Sequence, residues 1–466
     1  MDDHTASIIK ELRTQNRLLR QKIKLLQREV KHLNERIELL EQENQQLREQ
    51  LEKAQQQMAR QAAPFRREDN KKIPPDKHKP SGRKPGHPGC CRRQPDHIDE
   101  TIEMPLCNCP KCSGPVTDIE RIEQIIEEIP PVQPHVVKLI TYRGRCSRCG
   151  VVGTHHPLQT SYGQGAAKVQ LGPRALALAA CLNKVHGLTM RKTCRVLRDL
   201  CGLRITAGGL SQALSRIAGR VKWIYEKLIE DIRGSPAVFA DETSWWVGGP
   251  KYWLWVFASA ERTVYRVEHS RGSQVVRDIL GDDFGGMLVS DCLSSYDPAE
   301  YAKHKCIAHH LRAISKAMKY PHTQEHKYLL AWKSFFAGVI ALYNLREYIS
   351  YEDFVSKRKS MGDWRDKLLN ELVNQPGDVA VRNRLLKQRR HLLGCLYEPA
   401  AEPTNNRAER ALRPAVIARK VSCGNKTEHG RDCWQILSSI GATCQQQMID
   451  FVDYLSGQLP LTTQAG

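Results

Sequence analysis

The chain has 466 residues, and this length alone suggests about three domains. Its 71 lysines and arginines exceed its 51 acids by 20, which predicts a polyanionic partner, either nucleic acid or an anionic membrane surface. A polar N-terminal stretch and a mean hydropathy of −0.51 argue against secreted and membrane proteins, so we expect a cytoplasmic protein. The 16 cysteines then favour reduced thiols or metal ligands over disulfides.

Residues 1–62 are predicted to form a dimerising coiled-coil helix. Leucine recurs at every seventh position from Leu12 to Leu47, and mostly branched residues lie three positions before each leucine. Such a narrow apolar seam is typical of a parallel two-stranded coiled coil, in which Asn16 and Asn44 would fix the register. A long helix that docks on its own protein is the alternative. The pattern therefore predicts a homodimer.

Residues 63–98 are predicted to form a basic, proline-rich linker. The prolines prevent a continuous helix, and the stretch Gly-Arg-Lys-Pro-Gly contains Arg83 and Lys84. These two cations suit a phosphate backbone or a minor groove, although a soluble tether has the same composition. In a leucine-zipper transcription factor the basic helix precedes the zipper. Because the order is reversed here, the linker argues against a simple zipper regulator.

Residues 99–160 are predicted to form a zinc ribbon. Two Cys-x-x-Cys pairs, Cys109 with Cys112 and Cys146 with Cys149, can each present two thiolates to one tetrahedral Zn²⁺. A β-prone stretch over 136–142 lies between them. A redox site needs only one such pair, so structural zinc is the better interpretation. Cys107 is an extra candidate that could replace Cys109 as a ligand. Weaker candidates are Cys90, Cys91, His155 and His156.

Residues 166–233 are predicted to be helical, with the spacing of a helix-turn-helix. We expect Thr189 to cap a helix that Gly202 ends, and Thr206 to begin the next helix. A DNA-binding segment of this kind would use the basic residues of the middle helix. Any three-helix bundle gives the same pattern. The candidate DNA contacts here are Arg191, Lys192 and Arg195.

From residue 234 the apolar pattern changes from helical to strand-like, which marks a core over 234–425. Strands are predicted at 237–240, 252–258 and 263–267, followed by a helix over 273–280 and a strand over 286–290. This is an RNase H-like order. It puts Asp241 at the end of the first strand and Asp291 at the end of the fourth, where the two would lie side by side.

A third carboxylate is needed to hold two Mg²⁺ or Mn²⁺ ions, which bind oxygen ligands and catalyse phosphoryl transfer. Glu409 is the candidate, although Asn406 and Glu409 also resemble a helix-capping box. Asp241 has the alternative of being a turn residue, with Glu242 as a rival ligand. The acids that compete with Asp291 are Asp282, Asp283 and Asp297.

The stretch between Asp291 and Glu409 is longer than an RNase H core needs, so we predict a helical insertion over about 311–400. It adds either a DNA-binding surface, with Lys387, Arg389 and Arg390, or packing scaffold alone. Residues 426–466 are predicted to form a C-terminal helix and tail.

Arginine suits phosphate because its guanidinium binds two oxygens at once. The candidate phosphate contacts around Glu409 are Arg407, Arg410, Arg413, Arg419 and Lys420.

Taken together, these motifs resemble the transposases of the IS66 family of bacterial insertion sequences, over nearly the whole chain. One departure is Cys292, since the family mostly has glycine after the second acid. Cys306 and His309 belong to the family pattern, and a buried structural pair is as good an interpretation of them as a metal site. The stretches that carry the resemblance are Ala240-Asp241-Glu242-Thr243, Val289-Ser290-Asp291, Cys306-Ile307-Ala308-His309 with Arg312, and Asn405-Asn406-Arg407-Ala408-Glu409-Arg410.

The resemblance implies a DDE transposase with a multidomain α+β fold: a coiled coil, a zinc ribbon, a helical DNA-binding segment and an RNase H-like core with an insertion. Asp241, Asp291 and Glu409 then take the three acid positions. Implied partners are the element's inverted repeats, target DNA and accessory proteins of the same element, in the bacterial nucleoid and without a membrane. Two alternatives stay open: a zinc-dependent DNA-binding regulator, and a nuclease without strand transfer.

Overall fold

The computed structural model describes residues 27, 30–31, 33–38, 40–42, 44–46, 94–154, 156–159, 169–298, 300–319 and 326–459. The chain divides into two compact units, residues 1–127 and 128–466. In the first unit the described residues between 27 and 46 are helical, and the seam residues Val30, Leu33, Ile37 and Leu40 are about half exposed. The rest of the predicted zipper, together with Arg83 and Lys84, lies outside the described residues.

The second cysteine pair lies at the turn of a two-stranded hairpin. Strand β1 (Arg143–Cys146) pairs antiparallel with β2 (Gly150–Gly153), and Cys146 lies opposite Gly150. Gly150 has φ +75°, a conformation that glycine adopts without steric cost. The β-prone stretch 136–142 belongs to no strand.

Within the described residues of the second unit, four helices precede the large sheet: α1 (Pro173–Ala180), α2 (Met190–Cys201), α3 (Ala207–Arg220) and α4 (Lys222–Arg233). A π-helical turn, Cys181–Val185, extends α1. The predicted helix ends are confirmed. Thr189 caps α2 by accepting from Lys192 N, Gly202 ends it with φ +65°, and Thr206 caps α3 by accepting from Gly209 N.

The second unit contains a five-stranded mixed sheet in the order β5-β4-β3-β6-β7. Strands β3, β4 and β5 are antiparallel neighbours, whereas β6 is parallel to both β3 and β7. The four predicted strands and the predicted helix of this region are present, and β7 is a further strand that the sequence pattern did not predict. The bounds of β3 to β7 and of the helix are β3 Ala237–Trp245, β4 Tyr252–Ala258, β5 Thr263–Glu268, α5 Ser273–Leu280, β6 Met287–Ser290 and β7 Ala302–Lys305.

Strand β3 continues beyond Asp241, where we expected it to end. Its parallel pairing with β6 covers only Ala237–Phe239, but its antiparallel pairing with β4 runs from Phe239 to Trp245. The β3–β4 hairpin therefore holds the backbone of Asp241 extended after β6 has ended. Asp241 lies in a part of β3 that extends past the end of β6. The loop that follows β6 begins beside this part of β3.

The segment between β7 and Glu409 contains four helices: α6 (Ile307–Ala317), α7 (Lys327–Leu345), α8 (Tyr351–Asn370) and α9 (Pro376–Lys387). They enclose a second hydrophobic core, which includes Trp332, Phe335 and Phe336. Among the described residues, α7 is the one helix long and apolar enough to cross a membrane by length and composition alone. Because these three aromatic side chains are completely buried, we interpret α7 as the central helix of this core.

Three more helices complete the fold: α10 (Asn406–Ser422), α11 (Glu428–Gln446) and α12 (Phe451–Gly457). Helix α11 covers the edge strand β5 with a row of polar side chains. The backbone N–H groups of Thr263, Tyr265 and Val267 donate to Thr443 Oγ1 at 3.2 Å, Ser439 Oγ at 2.9 Å and Gln435 Oε1 at 3.1 Å. The donors are two residues apart on β5, and the acceptors are four residues apart on α11. Each N–H group that points outward from this edge strand therefore has an acceptor.

The two faces of the sheet pack against different helices. Val238 and Ala240 of β3 join a core with α1 to α5, α11 and α12, whereas Phe239 joins a core with α10. Since successive residues of a strand point to opposite faces, Asp241 lies on the α10 face and Glu242 on the other. The predicted helical segment thus shares one core with the sheet rather than forming a core of its own.

Candidate active site

Three acids from separate elements lie at one end of the sheet. Asp241 is in the projecting part of β3, Asp291 follows the last residue of β6, and Glu409 is in the first turn of α10. Burial raises the pKa of Asp241 well above its usual value, and the carboxylates of Glu242, Asp291 and Glu409 raise it further. Each of these acids is therefore close enough to oppose the negative charge of Asp241.

Asp291 is held by its own loop. Its Oδ1 accepts a hydrogen bond from Leu293 N at 2.8 Å, which closes a short turn directly after β6. The hydroxyl of the preceding Ser290 receives a hydrogen bond from Lys305 Nζ at 3.2 Å. This lysine is completely buried on β7, so the loop leaves the sheet from a fixed point.

Glu409 contacts a cation from the insertion. Its Oε1 lies 3.3 Å from Arg312 Nη2, and the same guanidinium nitrogen is 3.4 Å from His309 Nδ1. Burial lowers the pKa of His309, and so does the positive charge of Arg312, whereas Asp291 and Glu409 raise it. His309 is therefore close to two of the three acids.

The capping box that we considered for Glu409 is absent. Asn405 is the N-cap residue of α10, and its side chain does not cap the helix. Instead, Asn405 Nδ2 donates to Ala240 O at 2.8 Å, and Asn405 N donates to Cys306 Sγ at 3.1 Å. This buried asparagine ties the start of α10 to the residue before Asp241. Sequence reasoning missed it, although it stands in the strongest motif of the chain.

Cys306 acts in the structure as a buried acceptor. It is completely buried, burial raises the pKa of its thiol, and its sulfur receives the Asn405 backbone N–H. Its own N–H donates to Ser290 O at 2.9 Å. Cys306 therefore links β6, α6 and α10, which agrees with the structural interpretation of the Cys306 and His309 pair.

The rival acids are engaged elsewhere or lie apart. Glu242 accepts from Tyr296 OH at 2.6 Å and from Arg271 Nη2 at 2.8 Å on the opposite face of the sheet. Asp297 forms ion pairs with Lys305 at 3.2 Å and with Lys387 at 3.6 Å. The last two competitors, Asp282 and Asp283, are exposed.

Cys292, the residue next to Asp291, faces the insertion. Its Sγ lies 3.7 Å from Nε2 of His310, a buried residue of α6 whose ring stacks on Phe336 at 5.5 Å. Burial raises the pKa of the Cys292 thiol and lowers that of His310 to about 3. The thiol and the neutral imidazole thus join the loop that follows β6 to the second core.

Two predicted phosphate contacts are occupied by the protein itself. Arg407 Nη2 pairs with Glu402 Oε1 at 2.6 Å, and its guanidinium lies 5.2 Å from the centre of the Phe239 ring. Arg419 Nη1 donates to Thr243 Oγ1 at 3.0 Å and to Ser244 Oγ at 2.8 Å. Both arginines therefore hold α10 on the sheet.

The other predicted DNA contacts within the described residues lie on exposed surface. On α10 these are Arg410, Arg413 and Lys420. On α2, Thr193 and Leu197 face the core, while the opposite side carries cations. The exposed residues of that side are Arg191, Lys192 and Arg195. In the insertion, Arg389 is paired with Asp366, with Nη2 2.6 Å from Oδ2, and Arg390 is exposed.

Each cysteine pair forms a tight local turn. Backbone N–H groups of Lys111 and Cys112 lower the pKa of Cys109, and those of Cys149 and Arg148 lower the pKa of Cys146. Donors aimed at a sulfur favour the thiolate, which is the form that binds Zn²⁺. Cys107, the possible replacement ligand, is exposed.

The chemistry of the three acids suits a hard divalent cation. All their donor atoms are carboxylate oxygens, which are the ligands that such a cation prefers. The negative charges of Glu242, Asp291 and Glu409 also disfavour the charged form of Asp241, and a bound cation would offset this repulsion. In the described part of the chain, no three His, Cys, Asp or Glu side chains are gathered closely enough to hold a metal ion. The side chain of Glu409 is directed to Arg312, and it is 32% exposed.

Comparison with known proteins identifies the family. The model of the IS66 transposase family matches residues 168–432, from the segment before α1 into α11, so the chain belongs to this family. It is also 25% identical over 405 residues to the uncharacterized protein y4qI of Sinorhizobium fredii (strain NBRC 101917 / NGR234), a match that spans 75% of this chain and 74% of the relative. Membership of a transposase family implies an enzyme that acts on DNA.

Proposed function

We propose that the protein is a DNA transposase that cleaves DNA at the ends of an insertion sequence and joins the resulting 3′-OH to target DNA. Asp241, Asp291 and Glu409 are the catalytic acids of this proposal. The observation that carries it is the convergence of these acids, from three elements, around the buried carboxyl of Asp241. The rival acids of the same region are paired with cations or exposed.

An RNase H-like core is part of this proposal. The sheet order β5-β4-β3-β6-β7, with three antiparallel strands followed by two parallel ones, supports it. In such a sheet the acids of β3 and β6 lie on neighbouring strands, and α10 brings the third acid across one face. The helices α6 to α9 form an insertion between the second and third acids.

The proposed reaction is phosphoryl transfer at the three acids. Two Mg²⁺ or Mn²⁺ ions held there would activate the attacking oxygen and neutralise charge at the phosphorus. The protein supplies a partly buried site that strengthens electrostatic effects, and Asn405 fixes Glu409 against the strand that carries Asp241. Arg312 and His309 orient the Glu409 carboxylate. The mechanism assigns no Ser or Tyr nucleophile, because water attacks the phosphodiester and frees the 3′-OH, and this 3′-OH then attacks the target DNA.

We assign DNA contacts to the exposed cations near the acids and on α2, together with Arg83 and Lys84 of the linker. Arg407 and Arg419 are left out of this set, since their guanidinium groups are bound within the protein. Phosphate contacts of this kind release counterions, so binding should weaken steeply as salt rises. The exposed residues of this set are Arg410, Arg413, Lys420, Arg191, Lys192 and Arg195.

The proposal includes a homodimer, structural zinc and accessory proteins of the same element. The half-exposed residues Val30, Leu33, Ile37 and Leu40 support the dimer, because an apolar seam on a polar helix needs a second helix to cover it. The lowered pKa values of Cys109 and Cys146 support zinc, since thiolates are its ligands. A dimer would bring two element ends into one complex.

A joining assay on labelled element ends tests the proposal. Purified full-length protein is incubated with terminal inverted-repeat DNA, a target plasmid and Mg²⁺. We expect strand breaks that leave a 3′-OH, followed by labelled end joined covalently to the plasmid. Binding without cutting would instead indicate a DNA-binding regulator, and cutting without joining would indicate a nuclease.

A further inference from the structure

Glu242 is the direct sequence neighbour of Asp241, yet its carboxylate is fully engaged on the other face of the sheet. Its side chain is only 3% exposed. Oε2 accepts from Tyr296 OH at 2.6 Å, and Oε1 accepts from Arg271 Nη2 at 2.8 Å and from Arg271 Nε at 3.2 Å. The Arg271 guanidinium also lies 4.2 Å from the centre of the Trp253 ring. Each oxygen of this carboxylate thus has a donor from outside β3.

Tyr296 belongs to the loop that begins with Asp291. Its side chain is completely buried, and its ring packs edge-on against Trp255 with the centroids 5.8 Å apart. Lys305 Nζ lies 5.5 Å from the ring centre and pairs with the next loop residue, Asp297, at 3.2 Å. Contacts with β4 and β7 therefore fix the far end of the loop. The hydroxyl of Tyr296 donates to Glu242 on β3.

The hydrogen bond between Tyr296 and Glu242 thus joins the two elements that carry the first two acids. Glu242 is covalently next to Asp241, and Tyr296 is five residues after Asp291. The β3–β6 ladder ends at Phe239, two residues before Asp241, so no backbone ladder holds the loop to this part of β3. Among the described contacts, the Tyr296–Glu242 bond is the direct side-chain link between the loop and the projecting part of β3.

We infer that Glu242 and Tyr296 form a positioning pair that sets the spacing of Asp241 and Asp291, and that Glu242 is not itself a metal ligand. This inference rests on the proposed function, because the spacing matters only if the two aspartates bind a common cation. Residues that orient metal ligands without touching the ion typically contribute about 10–100-fold to metal affinity or activity. The removal of one hydroxyl at Tyr296 should therefore weaken cation binding although no ligand is altered.

The test is Mn²⁺ binding to full-length protein, followed by the electron paramagnetic resonance of the free ion, together with thermal unfolding. Sites that persist in Asp291→Asn are subtracted as unrelated binding. We expect Tyr296→Phe to lower the remaining Mn²⁺ affinity by about 10–100-fold. The matched control is Tyr225→Phe, which removes another buried hydroxyl, 2.8 Å from the Tyr265 carbonyl, on the same face of the sheet. It should leave Mn²⁺ affinity unchanged.

A double-mutant cycle separates a positioning pair from its alternatives. If the two residues act together, Glu242→Gln and the double variant lose as much Mn²⁺ affinity as Tyr296→Phe alone, rather than the product of the two losses. A loss in Glu242→Gln with normal binding in Tyr296→Phe would make Glu242 a ligand and overturn the inference. Lower thermal stability with unchanged affinity in both variants would overturn it too, since the pair would then be structural only.

The same measurement distinguishes failure of this inference from failure of the proposed function. If the wild-type protein binds no Mn²⁺ beyond the level of Asp291→Asn, the three acids do not hold a cation and the proposed function is wrong. If the wild-type protein binds Mn²⁺ in this way and Tyr296→Phe binds it equally well, the proposed function stands and the positioning pair is rejected.

Discussion

The neighbouring acids Asp241 and Glu242 lie on opposite faces of β3, and their carboxylates have different surroundings. On one face, Glu242 has Tyr296 and Arg271 as donors, within a core completed by Trp255. On the other face, burial raises the pKa of Asp241 well above its usual value, and the carboxylates of Glu242, Asp291 and Glu409 raise it further. The chain thus satisfies one acid and leaves the next in a repulsive environment.

Under the proposed function, the Glu242 face serves stability and the Asp241 face serves chemistry. Burial raises the pKa of Glu242, but its hydrogen bonds with Tyr296 and Arg271 oppose that shift and offset part of the cost of burying its charge. Carboxylates that repel one another have no such compensation unless a cation is added. The Asp241 face is therefore the one that gains from a bound cation. Contacts on the Glu242 face hold β3 and the Asp291 loop in place, so a cation would bind to carboxylates whose positions are already fixed.

The largest expected effect separates the two faces by activity. Asp241→Asn should reduce cleavage and joining about 1,000-fold, because the loss of one metal-binding carboxylate removes several kcal/mol of transition-state stabilisation. Glu242→Gln should reduce them only about 10–100-fold, as expected for a group that orients a ligand. Rates of end cleavage under single-turnover conditions measure both. Equal losses in the two variants would contradict the division into two faces.

The next effect concerns His304, which holds the segment before α10 on the Asp241 face. Its ring is completely buried, its Nε2 lies 3.1 Å from the Pro403 carbonyl oxygen, and burial lowers its pKa to about 4. The unfolded chain takes up this proton below about pH 6.5, whereas the folded chain resists it until about pH 4. The free energy of unfolding should therefore fall by about 3 kcal/mol through this one residue as the pH falls across that interval.

Denaturant unfolding of wild type and His304→Gln at several pH values measures this effect. The variant should lose stability less steeply below pH 6.5, while part of the slope persists because His310 and His391 also have lowered pKa values, about 3 and about 4. The exposed His429 provides the control, and His429→Gln should keep the full wild-type slope. Parallel slopes for wild type and His304→Gln would contradict the account.

A smaller effect is expected at the sheet edge that both faces share. Ser439→Ala leaves the buried Tyr265 N–H without its acceptor, which should lower the free energy of unfolding by about 1–3 kcal/mol. Ser422→Ala removes an exposed hydroxyl that bonds only its own helix, at Ala418 O, and should change stability by less than about 0.5 kcal/mol. Urea unfolding of both variants makes the comparison. If the two changes are equal, α11 does not protect the edge of β5.

The smallest effect has the opposite sign. In metal-free protein at neutral pH, Asp241→Asn should raise thermal stability, because the folded state disfavours the charged form of this residue. The gain should disappear below the ordinary aspartate pKa, where the wild-type carboxyl is protonated in both folded and unfolded chains. Added Mg²⁺ should stabilise the wild type but not the variant. Thermal unfolding at several pH values, with and without Mg²⁺, provides the check.

Local signals in the sequence predicted the elements well. Thr189, Gly202 and Thr206 gave the helix ends because caps depend on residues within one turn. Apolar runs and turn residues likewise located β3 to β6, but the short edge strand β7 was not predicted. Asp241 and Asp291 were chosen at expected strand ends, and the resemblance to a family supported all three acids.

Contacts between residues distant in sequence were not predictable in this way. The bond from Asn405 to Ala240, the bond from Tyr296 to Glu242 and the polar row of α11 along β5 join residues between 54 and 180 positions apart. No local pattern distinguishes such an asparagine or tyrosine from others. The extension of β3 past Asp241 was missed for the same reason, since it depends on pairing with β4.

The central claim is that three acids perform metal-dependent strand transfer, and joining of labelled element ends by Asp291→Asn tests it most directly. The matched control is Asp282→Asn, an exposed acid of the same segment. With Mg²⁺, we predict that wild type and Asp282→Asn join the ends to target DNA, whereas Asp291→Asn binds the same DNA and yields no joined product. Joining by Asp291→Asn at the wild-type rate would contradict the account.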